Sequence, residues 1–94
     1  MLTLYVTYHC KTGQRDAFYR ALCELGVSEG SRAERGNLRY DYYFSAEQED
    51  DLLLIESWTD QDCQSEHSKT ERFQRLQELK ARFCEQVEID RQNT

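Results

Sequence analysis

The chain opens with strict alternation of apolar and polar positions. The apolar positions are Leu2, Leu4, Val6 and Tyr8, and the positions between them are Thr3, Tyr5, Thr7 and His9. A period of two residues is typical of a strand with two different faces, so it predicts a first strand over residues 2–10. The more polar face of this strand is a candidate wall of a cavity.

A helical period follows the first strand. Apolar residues recur at i, i+3, i+4 and i+7 up to Leu25, which predicts an amphipathic helix over about residues 13–25. Gly26 and Gly30 weaken its continuation toward Gly36. We therefore predict a kinked or two-part helix.

Two further strands are predicted in the middle of the chain. Residues 37–44 alternate again and are rich in Tyr and Phe, which favour strands. Residues 52–58 are apolar on both sides, which is typical of a strand in the middle of a covered sheet. The acidic residues 47–51 between them predict a solvated hairpin loop.

The last third of the chain predicts two helices and a closing strand. Thr59 is expected to cap a short helix, and the Ser-x-x-Glu pattern at Ser68 predicts that a new helix begins next to His67. Alternation at residues 87–89 predicts a short closing strand, followed by a loose tail over residues 91–94.

This order of elements predicts an α+β domain of the ferredoxin-like βαββαβ type, with an antiparallel sheet. The length of 94 residues fits a single domain, 1–94. Helices cover only one face of such a sheet, and its first and third strands are central. The bare face would carry large side chains that are seldom left in water. We therefore expect a homodimer in which two sheets face each other and enclose a cavity.

Composition and charge exclude several classes of function. Acidic residues outnumber basic ones 18 to 12, which argues against nucleic acid and anionic membranes as partners. The third strand also lacks the basic-Gly-aromatic pattern of RNA-recognition domains. No apolar run approaches the ~20 residues of a membrane span and no targeting segment is visible, so a cytoplasmic location is expected. Reduced thiols and no metal are expected at Cys10, Cys23, Cys63 and Cys84, whose spacing fits neither a metal site nor a redox pair.

Three blocks of sequence resemble the antibiotic biosynthesis monooxygenase family, including its quinol monooxygenase branch. They are GNLRYDY from Gly36, IESWTD from Ile55 and HSKTERF from His67, and the likeness covers about residues 2–90. The resemblance implies a dimeric α+β barrel with a cavity in each subunit, either between the sheet and the helices or at the dimer face. It also implies oxidation of quinol-like or polyketide aromatic substrates with molecular oxygen, without metal, flavin or haem. Other members are an isomerase of a phosphorylated autoinducer and haem-degrading enzymes. The haem branch relies on an Asn in the first strand, which residues 2–11 lack.

Oxygenation without a cofactor needs a base and a dry pocket, because the deprotonated quinol is its own reductant. His67 is one candidate, since imidazole titrates near neutral pH. Glu56 is the other, since burial would raise its pKa. Each has a structural alternative: His67 as a group that bonds carbonyls at a helix end, and Glu56 as the ion-pair partner of Arg39.

A second set of residues is predicted to bind the substrate. Trp58 would stack on an aromatic ring or fill the core, and Asn37 could equally serve as a turn residue. The full set is Trp58, Asn37, Arg39, Tyr5, Thr7 and His9.

The sequence therefore predicts a cofactor-independent monooxygenase that acts on a small aromatic quinol and O₂ and assembles as a homodimer. Two alternatives stay open at this point. One is a non-catalytic dimeric module that binds a small ligand, and the other is an isomerase of the same family acting on a small phosphorylated substrate. The identity of the substrate and any assembly beyond the dimer are left open.

Overall fold

Four strands and four helices make up the chain, whose computed structural model describes residues 1–94. The strands are β1 (Leu2–Cys10), β2 (Asn37–Phe44), β3 (Asp51–Trp58) and β4 (Cys84–Asn93). The helices are α1 (Arg15–Leu25), α2 (Val27–Arg32), α3 (Gln61–His67) and α4 (Glu71–Phe83). Their order confirms the predicted α+β, ferredoxin-like class. None of the four helices has the length and hydropathy that crossing a bilayer requires.

The strands form one antiparallel sheet in the order β2-β3-β1-β4. The first and third strands are therefore central, as the two-sided apolar character of residues 52–58 predicts. Glu56 pairs in register with Leu4 on one side and with Tyr40 on the other. These three residues form a row on the face that the helices cover.

The hydrophobic core lies between this face and the helices. Tyr8 from β1 meets Phe18 of α1 with ring centres 5.2 Å apart, and Phe18 meets Phe83 of α4 at 5.9 Å. Full burial of a large apolar side chain stabilises the fold by about 1.5–3 kcal/mol relative to leaving it exposed. The largest fully buried side chains of the core are Trp58, Tyr8, Tyr40, Phe18, Leu22, Leu52, Leu54 and Leu76.

Gly26 divides the first helical region into two helices, as predicted. Its φ of 72° lies in the left-handed region, where a side chain would be strained, and its N–H bonds to the carbonyls of Leu22 and Cys23. Gly36, with a φ of 79°, makes the turn into β2. A Cβ at Gly36 would collide with the side chain of Cys63, so this turn packs closely against α3.

Two helix starts differ from the prediction. Asp60, not Thr59, caps α3, and Thr70, not Ser68, caps α4. In each case the side-chain oxygen accepts the N–H three residues further on, at 2.9 Å for Asp60 and 3.2 Å for Thr70. Ser, Thr and Asp are all favoured at the N-cap position, so the local sequence does not show which of the neighbouring residues caps the helix.

The closing strand is longer than predicted, and it includes most of the segment that was predicted to be a loose tail. Residues 91–93 belong to β4, with Asn93 opposite Leu2 in the register. The N–H of Thr94 also donates to the carbonyl of Met1 at 2.9 Å. The second half of β4 is almost wholly polar, so its sequence pattern gave no sign of a strand.

A bulge near the start of β2 changes the predicted position of one apolar residue. The register shifts between Asn37 and Arg39, which leaves Leu38 56% exposed instead of sharing a face with Tyr40. The side-chain amide of Asn37 donates to the carbonyls of Arg39 and Ser57, at 3.1 and 3.4 Å. Asn37 therefore stabilises the irregular backbone.

Candidate active site

The two faces of the sheet separate the predicted site residues into two groups. Glu56 and Trp58 lie on the face that the helices cover. On the uncovered face, β3 presents Leu53 and Ile55 instead. The other predicted residues on the uncovered face are Tyr5, Thr7, His9 and Arg39. Because adjacent strand positions point to opposite faces, these residues do not all line one cavity, and a cavity between two sheets would not contain Glu56 and Trp58.

A small enclosed cavity lies between the sheet and α4, with a volume of about 60 Å³. Its walls are mostly apolar, with Leu4 and Val6 from the sheet and Leu76 from α4. One acidic and one basic side chain, Glu56 and Lys80, also line it. A larger groove of about 560 Å³ next to α2 is shallow and mostly polar, so the enclosed cavity is the better candidate for chemistry that excludes water.

Glu56 is a buried carboxyl, 5% exposed, with one hydrogen bond. Its Oε1 accepts from the indole Nε1–H of Trp58 at 2.9 Å. Burial raises the pKa of Glu56, while the Trp58 hydrogen bond and the nearby His67 and Lys80 oppose the rise. A carboxyl with a raised pKa beside an apolar cavity is suited to accept a proton from a bound ligand.

The predicted ion pair between Glu56 and Arg39 does not form. Arg39 lies on the uncovered face, where it donates to Asp41 at 3.1 Å and to the hydroxyl of Tyr43 at 2.6 Å. Arg39 pairs in register with Ser57, the neighbour of Glu56, so its side chain points away from Glu56. Glu56 therefore faces the cavity without a salt bridge.

Lys80 is a site residue that the sequence prediction did not include. Its ammonium nitrogen lies 5.7 Å from the centre of the Tyr8 ring and 5.4 Å from that of Phe73. Burial lowers the pKa of Lys80, and the charge of Glu56 opposes that effect. One signal could have found it: Lys80 follows Leu76 by four residues and so falls on the apolar stripe of its helix.

His67 packs against Trp58 and does not itself line the cavity. It is 4% exposed, its ring centre is 4.8 Å from that of Trp58, and it also contacts the rings of Tyr40 and Phe73 at 5.8 and 5.3 Å. Its Nδ1 lies 2.7 Å from Oε1 of Glu34. The partner of the ring is thus a carboxylate from another part of the chain, and not the helix-end carbonyls that the structural alternative predicted.

Two tyrosine hydroxyls are buried near the cavity without a regular hydrogen bond. They belong to Tyr40, which lines the cavity, and to Tyr42. Burial is the main cause that raises the pKa of both phenols. Buried polar atoms without a well-formed hydrogen bond are uncommon, and here each hydroxyl has the other as its neighbouring polar group.

On the uncovered face, His9 forms an ion pair at the end of the sheet. Its Nδ1 lies 2.7 Å from Asp51 and its Nε2 lies 3.4 Å from Glu88. The hydrogen bond to Asp51 is the main cause that raises the pKa of His9. Tyr5 and Thr7 occupy the same face further along β1, so these three residues lie together but not beside Glu56.

These features define a class of protein. It is a small ferredoxin-like α+β domain in which a buried carboxyl and a half-buried ammonium face an enclosed apolar cavity. No three His, Cys, Asp or Glu side chains cluster in the way that holds a metal ion.

The chain belongs to the antibiotic biosynthesis monooxygenase family, whose model matches residues 1–79. This confirms the resemblance seen in the sequence. A Bacillus subtilis relative named "Putative monooxygenase YcnE" is 30% identical over 74 residues, which span 79% of this chain and 76% of the relative. The family and this relative support a function of the monooxygenase type.

Solved structures share the fold over almost the whole chain. PA3566 from Pseudomonas aeruginosa is 31% identical, with a TM-score of 0.87 over 99% of this chain and 92% of its own. A protein from Nitrosomonas europaea, titled a putative antibiotic biosynthesis monooxygenase, is 22% identical, with a TM-score of 0.90 over 100% and 98% of the two chains. At that identity the second likeness supports the fold alone.

Proposed function

We propose that this protein is a cofactor-independent monooxygenase that deprotonates a small aromatic quinol in the cavity beside Glu56. The observation that carries the proposal is a buried carboxyl with a raised pKa that faces an apolar cavity and has no salt bridge. Membership of the monooxygenase family supports the type of reaction.

Glu56 accepts the proton of a quinol hydroxyl, and the electron pair of the broken O–H bond stays on the substrate oxygen. The Lys80 ammonium lines the same cavity and stabilises this anion, since a charge in a site that excludes water acts strongly. The electron-rich anion then reduces O₂. One oxygen atom forms a bond to a ring carbon and the other leaves as water, so the quinol becomes a hydroxyquinone and no further reductant is needed.

The nature of the charged groups favours a quinol over a phosphorylated substrate. A phosphate group is usually held by several basic side chains or by backbone N–H groups at a helix start. The cavity has one cation, Lys80, and a carboxyl close by. A neutral quinol that becomes a single anion matches this pair better than a dianionic phosphate does.

The cavity has to open before an aromatic ring can bind. Its volume of about 60 Å³ is less than half of the ~150 Å³ that holds a benzene molecule. Lys80 and Ile89 line both this cavity and an outer groove of about 420 Å³ between α4 and β4. We propose that substrate enters between these two side chains. Lys80 is flexible and Ile89 is 55% exposed, so both can move at little cost.

We further propose that a second copy of the chain covers the bare face of the sheet. Tyr5 and Tyr43 on this face are 39% and 42% exposed, and Leu53 and Ile55 lie between them on β3. An apolar patch on a flat sheet fits a two-fold related copy of itself. The dimer would add to the stability of a small domain, while each chain keeps its own cavity on the helix side.

Oxygen uptake tests the proposed activity directly. Wild type should consume O₂ with 1,4-dihydroxynaphthalene above the rate of spontaneous oxidation, and Glu56→Gln should lower kcat by about 10²- to 10⁴-fold, the usual contribution of a general base. Glu66→Gln is a matched control, because Glu66 is an exposed carboxylate that binds Arg35. Saturable binding without O₂ uptake by wild type would overturn the proposal and favour a ligand-binding module.

A further inference from the structure

A continuous line of contacts runs from the protein surface to the cavity through side chains that the proposed reaction does not use. Arg72 Nη1 donates to Oε2 of Glu34 at 3.0 Å, and Oε1 of Glu34 lies 2.7 Å from Nδ1 of His67. The His67 ring packs on Trp58 at 4.8 Å, and the Trp58 indole donates to Glu56 at 2.9 Å.

We propose that Glu34 and Arg72 are positioning residues that fix the tautomer and the orientation of His67, and through it the indole that holds Glu56. The inference rests on the proposed function only in taking Glu56 as the base. Neither Glu34 nor Arg72 lines the cavity, so both act through His67 and Trp58.

The carboxylate of Glu34 determines which ring nitrogen of His67 carries the proton. An ionised carboxylate can only accept hydrogen bonds, so the nitrogen next to it, Nδ1, has to donate. In a neutral ring the proton is then on Nδ1, and Nε2 is left as an acceptor. Carboxylates behind histidines in metal and catalytic sites fix tautomer and ring orientation in the same way.

The surroundings of Glu34 show why the ring needs this anchor. The side chains of His67 and Glu34 are 3% and 19% exposed, so water does little to solvate the pair. Each oxygen of Glu34 has its own partner, His67 on one and Arg72 on the other. The imidazole is therefore held at one edge by a carboxylate that is itself held in place.

Gly30 in α2 provides a second and independent observation. A Cβ at this position would collide with the guanidinium of Arg72. Glycine inside a helix is less favourable than alanine, so the helix is less stable with Gly30 than it would be with alanine there. The bare backbone at Gly30 leaves the space in which Arg72 reaches Glu34.

Nitrogen NMR of the histidine rings tests the inference without any need for activity. The chain has two histidines, so ¹⁵N-histidine spectra of a His9→Gln background report on His67 alone. Wild type should show Nδ1 protonated and Nε2 bare in the neutral ring. Glu34→Ala should reduce the Nδ1-protonated form to a minority, whereas Glu66→Ala should leave the His67 signals unchanged, because Glu66 binds Arg35 at the surface.

Two milder variants keep the test decisive if Glu34→Ala folds poorly. Arg72→Met and Gly30→Ala should both break the hydrogen bond from the guanidinium to Glu34. Each should broaden the Nδ1 signal of His67 or shift it in the same direction as Glu34→Ala does. A ring that stays in the Nδ1-protonated form with unchanged shifts in all three variants would overturn the inference.

Kinetics separate positioning from a purely structural role. Loss of an anchoring partner behind a functional group typically costs about 10- to 100-fold. Glu34→Ala should therefore lower kcat for quinol oxidation by about that factor with KM little changed, and Glu34→Gln, which keeps an acceptor oxygen, should recover part of it. A lower melting temperature with an unchanged kcat would contradict the inference. If wild type itself oxidises no quinol, the proposed function fails and the NMR result still decides the role of Glu34.

Discussion

The carboxyl of Glu56 is subject to opposing requirements from folding and from chemistry. Burial raises its pKa, which is the property that a base for a phenolic proton needs. The same burial makes the ionised form unfavourable in the folded state at neutral pH. The indole hydrogen bond from Trp58 reduces that penalty but does not remove it.

Replacement of Glu56 by Gln should therefore stabilise the protein while it lowers kcat. A carboxyl whose folded pKa lies above its ordinary value of 4.5 loses stability as the pH rises from that value through the folded pKa. Glu56→Gln should thus have a higher free energy of unfolding than wild type near pH 7, and the gain should disappear below about pH 4. Urea unfolding at the two pH values measures it. An equal gap at both pH values would contradict this account of Glu56.

His9 should give a pH dependence of the opposite sign. Its pKa is raised above 6.5, mainly by the hydrogen bond to Asp51, so its contribution is complete below 6.5 and is lost as the pH rises through the folded pKa. Wild type should exceed His9→Gln in stability at about pH 5.5 and converge with it by about pH 8.5. The side chain is 31% exposed, so the difference should stay below about 1 kcal/mol. If the two proteins instead had equal stability at the lower pH and differed at the higher pH, Asp51 would not stabilise the imidazolium.

At the residue scale, the sequence could identify the groups that carry a local signal. Glu56 and Trp58 share one side of an apolar strand, and His67 follows within a matched block. Glu34 lies 33 residues before His67, in the segment between α2 and β2, and nothing in its local pattern distinguishes it from other acidic residues. Its role depends on a contact that only the folded chain creates.

At the scale of whole elements, strand periodicity predicted which residues share a face but not which face the helices cover. In β3 both alternatives are apolar, Leu52 and Leu54 on one side and Leu53 and Ile55 on the other. Which side of β3 becomes buried depends on how the amphipathic helices pack on the sheet, and that packing is a property of the whole fold. The sequence pattern therefore predicts a cavity next to the sheet but not which of the two faces lines it.

The proposed entrance between α4 and β4 can be tested by blocking it. Ile89→Trp places a large ring between the outer groove and the cavity and should lower kcat/KM for the quinol about tenfold, a change of ~1.4 kcal/mol. Leu38→Trp is the matched control, because Leu38 is 56% exposed and Ile89 is 55% exposed. Oxygen uptake at low quinol concentration gives both values. Equal rates in the two variants would place the entrance elsewhere.

At the scale of the whole molecule, the main feature is the sheet face that no helix covers. A domain of this length buries only ~60–65% of the surface that its unfolded chain exposes. Helices cover one face of the sheet, and the other keeps large apolar side chains at its surface. The overall topology could be predicted from the sequence because each strand and helix has a clear period. How two copies meet depends on the shape of the face, which a pattern does not contain.

A charge at the centre of the bare face should separate the proposed dimer. Ile55→Glu places a carboxylate between Tyr5 and Asp41, its register partners, and burying that charge in an interface is costly. Light scattering after gel filtration should give about twice the chain mass of 11.2 kDa for wild type and the single mass for Ile55→Glu. Ile89→Glu, on the helix side, should stay at the double mass. A wild type of single mass would refute the proposed assembly.

The most direct test of the central claim, that Glu56 takes the substrate proton in the cavity, is the ionisation state of the bound quinol without oxygen. Anaerobic stopped-flow mixing of 1,4-dihydroxynaphthalene with wild type should produce the absorbance of the quinol anion, and mixing with Glu56→Gln should leave the spectrum of the neutral quinol. The same anion spectrum in both proteins would contradict the assignment of Glu56 as the base.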